Sequence, residues 1–257
     1  MGEAMLSAIL ARHLSLPQDI LISDIDPNRR QHIRQKYQVG VTGDNRLAIH
    51  QAEVVVLAIK PQNLGEVMLE LNGQLGATQL VLSIVAGARL DSLLRGLSHH
   101  RLVRAMPNTP ARIGEGVTVW TATPQVGPEQ KRWASSILGA MGKEIYVDDE
   151  QLIDMATAVS GSGPAYLFLF VEALVDAAVG IGLPRKLAQE LVLQTVLGSA
   201  HLLEKSGQPP GELRRMVTSP GGTTEQALLR LDRGGFAHLL AEAIKAAHDK
   251  AKSLGKG

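Results

Sequence analysis

The chain is 257 residues long, 45% hydrophobic and 20% charged. That is enough apolar material for a sizeable core, which excludes disordered and fibrous classes, and at about 100 to 200 residues per domain two domains are expected. Lysine plus arginine number 26 against 25 acids, a net charge of +1, so no concentrated basic surface for phosphate neutralisation is expected and nucleic acid is not an expected partner. The sequence has no cysteine, which removes disulfides, thiolate nucleophiles and Cys-ligated metals together and fits a reducing cytoplasm.

In chain order, residues 20–23 read as a short strand and 28–37 as a helix. Residues 54–59 form a continuous apolar run ending at Lys60-Pro61, 63–71 are helical, and 80–85 form a second continuous run ending in Ala86-Gly87. Continuous rather than alternating hydrophobicity marks strands buried on both faces, as in a parallel sheet covered by helices. Residues 101–106 and 117–121 are further strands, 130–141 a helix and 145–147 a last strand. This rhythm predicts a doubly wound α/β dinucleotide-binding domain over residues 1–148.

Residues 149–257 predict a second, all-helical domain. Helices are expected over 163–180, 184–205, 211–217, 225–231 and 236–254. The first is apolar nearly all round, and such a helix must be surrounded by protein; a homodimer built through these helices is therefore expected. Glu172 and Asp176, four apart on it, read as interface hydrogen-bonding groups rather than an acid/base pair. The longest apolar stretches, 54–59, 80–85 and 166–171, fall short of the roughly 20 residues that cross a bilayer, and the first residues lack a secretory pattern. No membrane association is expected.

A doubly wound dinucleotide domain begins with a strand, a glycine-rich turn and a helix. Here Met1 to Met5 run directly into Leu6, Ile9 and Leu10 at helical spacing. The missing strand would be the central one, and an empty slot would leave two open edges in mid-sheet. The sequence therefore predicts a start at an internal methionine, with roughly ten further residues before it, judged from strand lengths. The G-x-G at Gly161 and Gly163 follows no expected strand and reads as a turn capping a helix.

Five segments carry chemistry. Ala58-Ile59-Lys60-Pro61 lies at the C-terminal end of a buried strand, where ligands bind in open α/β sheets, and Ser83-Ile84-Val85-Ala86-Gly87 ends the next strand in small residues that admit a flat ring. Arg104-Ala105-Met106-Pro107-Asn108-Thr109-Pro110 forms a rigid loop with defined amide and hydroxyl directions, suited to cofactor or substrate, with Asn108 as the expected contact. Ser160-Gly161-Ser162-Gly163-Pro164-Ala165-Tyr166 leads into the apolar helix. In Ser219-Pro220-Gly221-Gly222-Thr223-Thr224, Thr223 with Gln226 fits a capping box, and the helix tip behind Gly221 and Gly222 attracts an anion, most naturally a carboxylate. Ser23 and Asp24, ending the first strand, are placed to meet an adenosine ribose. Asp24 would accept from a 2′-hydroxyl and favour NAD, whereas Arg29 and Arg30 would attract a 2′-phosphate. None of the eight histidines has metal-ligand spacing, and no metal is expected.

Together, Ala58 to Pro61, Ser83 to Gly87, Arg104 to Pro110, Ser160 to Tyr166, Leu183-Pro184, Gln194-Thr195, Gly198 and Val217 to Thr224 resemble, in order, the pyrroline-5-carboxylate reductase family. The resemblance covers the whole chain and departs at the absent glycine turn. It implies a Rossmann-type domain followed by an all-helical dimerisation domain, with dimers often assembled into larger rings. It also implies NADP, with NAD as the alternative, and hydride transfer to the C=N bond of 1-pyrroline-5-carboxylate to give L-proline. By position it implies that Asn45 meets the adenosine ribose and that Ala58, Ile59, Lys60, Pro61 and Ala86 line the cofactor. Gly222, Thr223 and Thr224 would form the substrate loop, with Glu150 and Ser219 nearby and the Thr224 hydroxyl on the ring nitrogen. The alternatives are a catalytically impaired dimeric homologue and a reductase of the hydroxyacid-dehydrogenase type; the latter usually carries a lysine in the helical half, and the loop 219–224 has none.

Overall fold

A computed structural model describes residues 1–255. They form two compact units: Met1–Pro164 together with the segment from Ala246 onward, and Ala165–Lys245. The sequence places the division at 148/149, whereas compactness places it after Pro164, because Ile153, Asp154 and Ala158 beyond the acidic junction are buried in the first unit.

The first unit runs α1 (Gly2–Ala11), β1 (Leu21–Ser23), α2 (Pro27–Tyr37), β2 (Gly40–Thr42), α3 (Asn45–Ile49), β3 (Val54–Leu57), α4 (Leu64–Leu71), β4 (Leu80–Ser83), α5 (Leu90–Leu97), β5 (Leu102–Met106), β6 (Gly116–Ala122), α6 (Pro128–Gly139), β7 (Gly142–Tyr146) and α7 (Gln151–Ala156). Local chemistry sets the ends. The Asp26 carboxylate accepts the Asn28 N–H at 2.9 Å with Pro27 at the first helical position, and Gln38, left-handed at φ +60, closes α2. Elements β2, α3, α5 and α7 fall between the expected ones.

β4 lies in mid-sheet, and Leu80, Val81, Leu82 and Ser83 are all fully buried. Alternate side chains go to opposite faces. Leu80 and Leu82 join Val103, Trp120, Ala134, Leu138 and Met141 on one side, while Val81 joins Val55, Leu57, Leu93, Leu97 and Leu102 on the other. Each such leucine contributes about 1.5 to 3 kcal/mol by leaving water.

The sheet departs from the expected pattern twice. β3, β4 and β5 are parallel, but β6 is antiparallel to β5, with β7 parallel to β6. Between β5 and β6 lies only the short turn Thr109–Ile113; a parallel return needs a crossover of a dozen or more residues, and α6 supplies one only between β6 and β7. The sheet is also in two parts, with β1 and β2 forming a separate parallel pair. β1 and β3 are each hydrogen-bonded on one edge. α1 joins the parts: Leu6 and Leu10 pack with Ile20, Ile22, Ile33 and Val39, while Met5, Ala8 and Ile9 pack on the larger sheet.

A π-helical turn, Thr157–Gly161, connects α7 to α8 (Gly163–Gly180). The second unit continues with α9 (Arg185–Ser206), α10 (Pro210–Met216), α11 (Thr223–Arg233) and the start of α12 (Phe236–Leu254), whose residues from Ala246 onward belong to the first unit. α8 and α9 meet through Val175, Ala188 and Val192. Most of the apolar surface of α8 is open: Phe168 is 64% and Leu169 66% exposed. Because the π-helical turn makes residues 151–180 one helical run, that run is long and apolar enough by length and composition to cross a bilayer. The expectation that no segment reaches that length does not hold. Asp176 pairs with Arg185 at 3.0 Å on the surface.

Candidate functional site

The expected cofactor residues lie in the first unit, at strand ends. Ala58 to Pro61 follow β3, with Ala58 and Lys60 exposed. The first turn of α1 comes to the same end: a Cβ built on Gly2 would lie 3.0 Å from that of Ala58. Ala86 follows β4 and precedes Gly87, which is left-handed at φ +78 and lies against Leu254. Asn108 follows β5; it is buried, and its Oδ1 accepts the Val117 N–H at 3.0 Å, so that oxygen braces its own loop. Small groups at the ends of neighbouring parallel strands leave backbone accessible to a flat ring, and the residues present fit a dinucleotide.

The residues expected at the ribose are more committed than the sequence suggests. Ser23 closes β1. One oxygen of Asp24 accepts the Asp26 N–H at 2.9 Å, a local turn that holds the loop. Asn45 begins α3, and its Nδ2 donates to Glu70 Oε2 at 2.7 Å. Arg29 pairs with Glu3 at 2.5 Å, and Arg30 Nη1 donates to the carbonyls of Asp24 and Ile25 at 2.6 and 3.1 Å. Glu3 also receives Lys36 and the Tyr37 hydroxyl, both at 2.9 Å. Lys36 first, then Arg29 and Tyr37, hold its carboxyl far below the usual 4.5. Sequence spacing cannot reveal this cluster, since Glu3 and its partners are joined only by α1 lying on α2.

Ser219, Gly222, Thr223 and Thr224 lie in the second unit, at the start of α11. The expected capping box does not form. Gly222, not Thr223, is the N-cap, without a side-chain cap. Glu225 reaches back instead, its Oε2 accepting the Gly221 N–H at 2.7 Å. The Gly222 N–H goes to the Ser219 carbonyl at 3.0 Å. A Cβ on Gly222 would fall 2.5 Å from Ser219 Oγ, so the turn closes only around glycine. Gln226 donates the first intrahelical bond, to the Gly222 carbonyl. The N–H groups of Thr223, Thr224 and Glu225 therefore have no partner among the described residues, the usual orphan donors of a helix start. They and the helix dipole form a cradle for an anion.

Glu150 stands apart from that loop in sequence and in unit. Its Oε1 accepts from Arg104 Nη1 and from the Leu90 N–H, each at 2.8 Å. Arg104 Nη2 reaches Asp154 at 2.5 Å. Asp154 was not expected at any site; the one sequence signal is an acid four residues after Glu150 on one helical face. No group of three or more His, Asp or Glu suited to a metal occurs among the described residues.

Comparison with known proteins agrees with this architecture. The family described as pyrroline-5-carboxylate reductase dimerisation matches residues 150–254, and that described as NADP oxidoreductase coenzyme F420-dependent matches residues 1–87. A pyrroline-5-carboxylate reductase of Synechocystis is 43% identical over the whole chain and 95% of its own length, and that of Escherichia coli is 37% identical with the same coverage. The solved pyrroline-5-carboxylate reductase of Coxiella burnetii superposes with a TM-score of 0.91 at 39% identity, covering 100% of this chain and 95% of that one. The Plasmodium falciparum enzyme, solved with NADP bound, gives 0.90 at 31%, covering 99% and 94%. With full-length identity at this level and a nucleotide-type sheet followed by the matched helical region, the chain belongs to the pyrroline-5-carboxylate reductase family.

Proposed function

We propose that this chain reduces the C=N bond of 1-pyrroline-5-carboxylate to L-proline with NADPH, NADH being the alternative reductant, as the closing step of proline synthesis. The observation that carries the reading is the tip of α11: three orphan N–H groups behind a glycine turn in a chain whose relatives are reductases of a cyclic imino acid. Those N–H groups hold the substrate carboxylate, with Gly222 and Ser219 shaping the turn. The Thr224 hydroxyl, which has no partner among the described residues, donates to or accepts from the ring nitrogen according to its protonation. An imine that binds already protonated needs no general acid, which fits a loop without histidine. The family's NADP-bound structure supports a bound dinucleotide, and the strand-end positions of Ser23, Asp24, Asn45, Ala58, Ile59, Lys60, Pro61, Ala86 and Asn108 make them the residues assigned to hold it. Bound NADPH supplies the hydride, and the residues supply orientation, a large share of such catalysis. Glu150 acts through the neighbours it holds.

The open apolar surface of α8 and the match to a dimerisation family support a homodimer, with rings of dimers a further step; in that state the helix is covered by protein rather than lipid. The cysteine-free composition favours a cytoplasmic setting. The test is loss of NADPH absorbance on adding pyrroline-5-carboxylate, with NADH in parallel. Substrate-dependent oxidation is expected; none with either reductant would refute the reading.

A further inference from the structure

Charged groups converge on the segment between β4 and α5. Arg104 on β5 is 2% exposed. Its Nη1 donates to Glu150 Oε1 at 2.8 Å and its Nη2 to Asp154 Oδ1 at 2.5 Å. Glu150 and Asp154 are one helical turn apart at α7, so a single planar fork spans both carboxylates. The same Glu150 oxygen accepts the Leu90 N–H at 2.8 Å, a first-turn donor of α5 with no partner inside its own helix. Asp154 Oδ2 lies 3.8 Å from Arg89 Nη1. At the other end of the segment, the Val85 N–H donates to Ser83 Oγ at 3.3 Å.

The segment is thus anchored by β4 on one side and by two acids of α7 on the other, and both acids are oriented by one guanidinium. Apolar side chains of equal volume would hold α7 to the sheet as firmly as a buried ion cluster does. What the charges add is direction: each carboxylate presents a defined oxygen to residues 89 and 90. Lysine, a point charge without a fork, cannot hold both acids in this way.

We propose that Arg104 is a positioning residue of the reductase: by holding Glu150 and Asp154 it fixes residues 86–90, and with them Ala86, where the dinucleotide binds. This rests on the reading of Ala86 as a cofactor residue.

Two variants test it: Arg104→Lys, and the triple Arg104→Met, Glu150→Gln, Asp154→Asn, which leaves no unpaired buried charge. Hydrogen exchange at residues 86–93, melting temperature and separate KM values for NADPH and pyrroline-5-carboxylate are measured on the full chain. In the triple variant, exchange at residues 86–90 is expected to accelerate at least roughly tenfold without global unfolding. The KM for NADPH rises on the order of tenfold while that for the imine stays within about twofold. Arg104→Lys falls between it and the wild type. Unchanged exchange in a folded variant overturns the proposal. Faster exchange with an unchanged NADPH KM also overturns it, making Arg104 purely structural and leaving the reductase reading intact. A wild-type chain inactive with both reductants instead removes that reading, and the proposed role with it.

Discussion

Gly87→Ala puts the loop after β4 under a defined load. Gly87 sits at φ +78, where an L side chain costs about 1 to 2 kcal/mol. The added Cβ would also lie 2.8 Å from Leu254 Cβ and 3.1 Å from the Leu254 carbonyl carbon and oxygen. Two of those three neighbours are backbone, so the contact is relieved only by moving the last turn of α12, and crowding of this kind costs about 1 to 3 kcal/mol more. Gly73→Ala is the control: φ is +69, and no atom lies within 4 Å of the added Cβ. It carries the backbone strain alone. At roughly 2 to 4 °C per kcal/mol for a unit of this size, Gly87→Ala should melt about 2 to 12 °C below Gly73→Ala. Hydrogen exchange should quicken at residues 246–254 in the first variant and not in the second. Equal melting temperatures with unchanged exchange at 246–254 would show that Leu254 does not brace the loop.

Other outcomes follow from the same contacts. Thr224→Ala should lower kcat by roughly 100-fold, the size expected for loss of one oriented hydrogen-bonding group, with NADPH affinity unchanged; normal turnover would remove Thr224 from the chemistry. The Glu3 carboxyl is held low in the folded chain, so its contribution is present above the ordinary value of 4.5 and is lost as pH falls below it. Glu3→Gln should therefore melt below wild type at neutral pH, and the gap should close in acid; a gap independent of pH would contradict the ion cluster. Burial lowers the pKa of His99, which hydrogen-bonds the Gln79 carbonyl at 2.8 Å. The unfolded chain then takes up that proton first as pH drops below 6.5, and stability falls with it; replacing His99 should flatten this part of the pH profile. Phe168→Glu on the open surface of α8 should yield monomers in sedimentation, and an intact dimer would place the interface elsewhere.

Much was legible because hydrophobic pattern is a local property. The runs at 54–59 and 80–85 are apolar throughout except for Ser83, which only strands covered on both faces require, and they became β3 and β4. α8 was found to the residue, because Pro164 and Gly180 punctuate it. Short elements escaped: β2 has three residues and α3 five, too few for a period to show. The capping box at Thr223 matched by spacing, yet Gly222 took the cap because the chain closes tightly on Ser219 and Glu225 turned back to Gly221.

The sequence alone determined the two-part architecture, the strand-end loops, the glycine turn before α11 and the family, since each is written in neighbouring residues. Tertiary structure decided the reversal of β6, the division of the sheet around α1, and the joining of Glu3 to Arg29 and Lys36 and of Arg104 to Glu150 and Asp154. Those ion pairs span separations of 26 to 50 residues. Which of many charges meet is set by how helices and strands pack in space, and no periodicity along the chain encodes it.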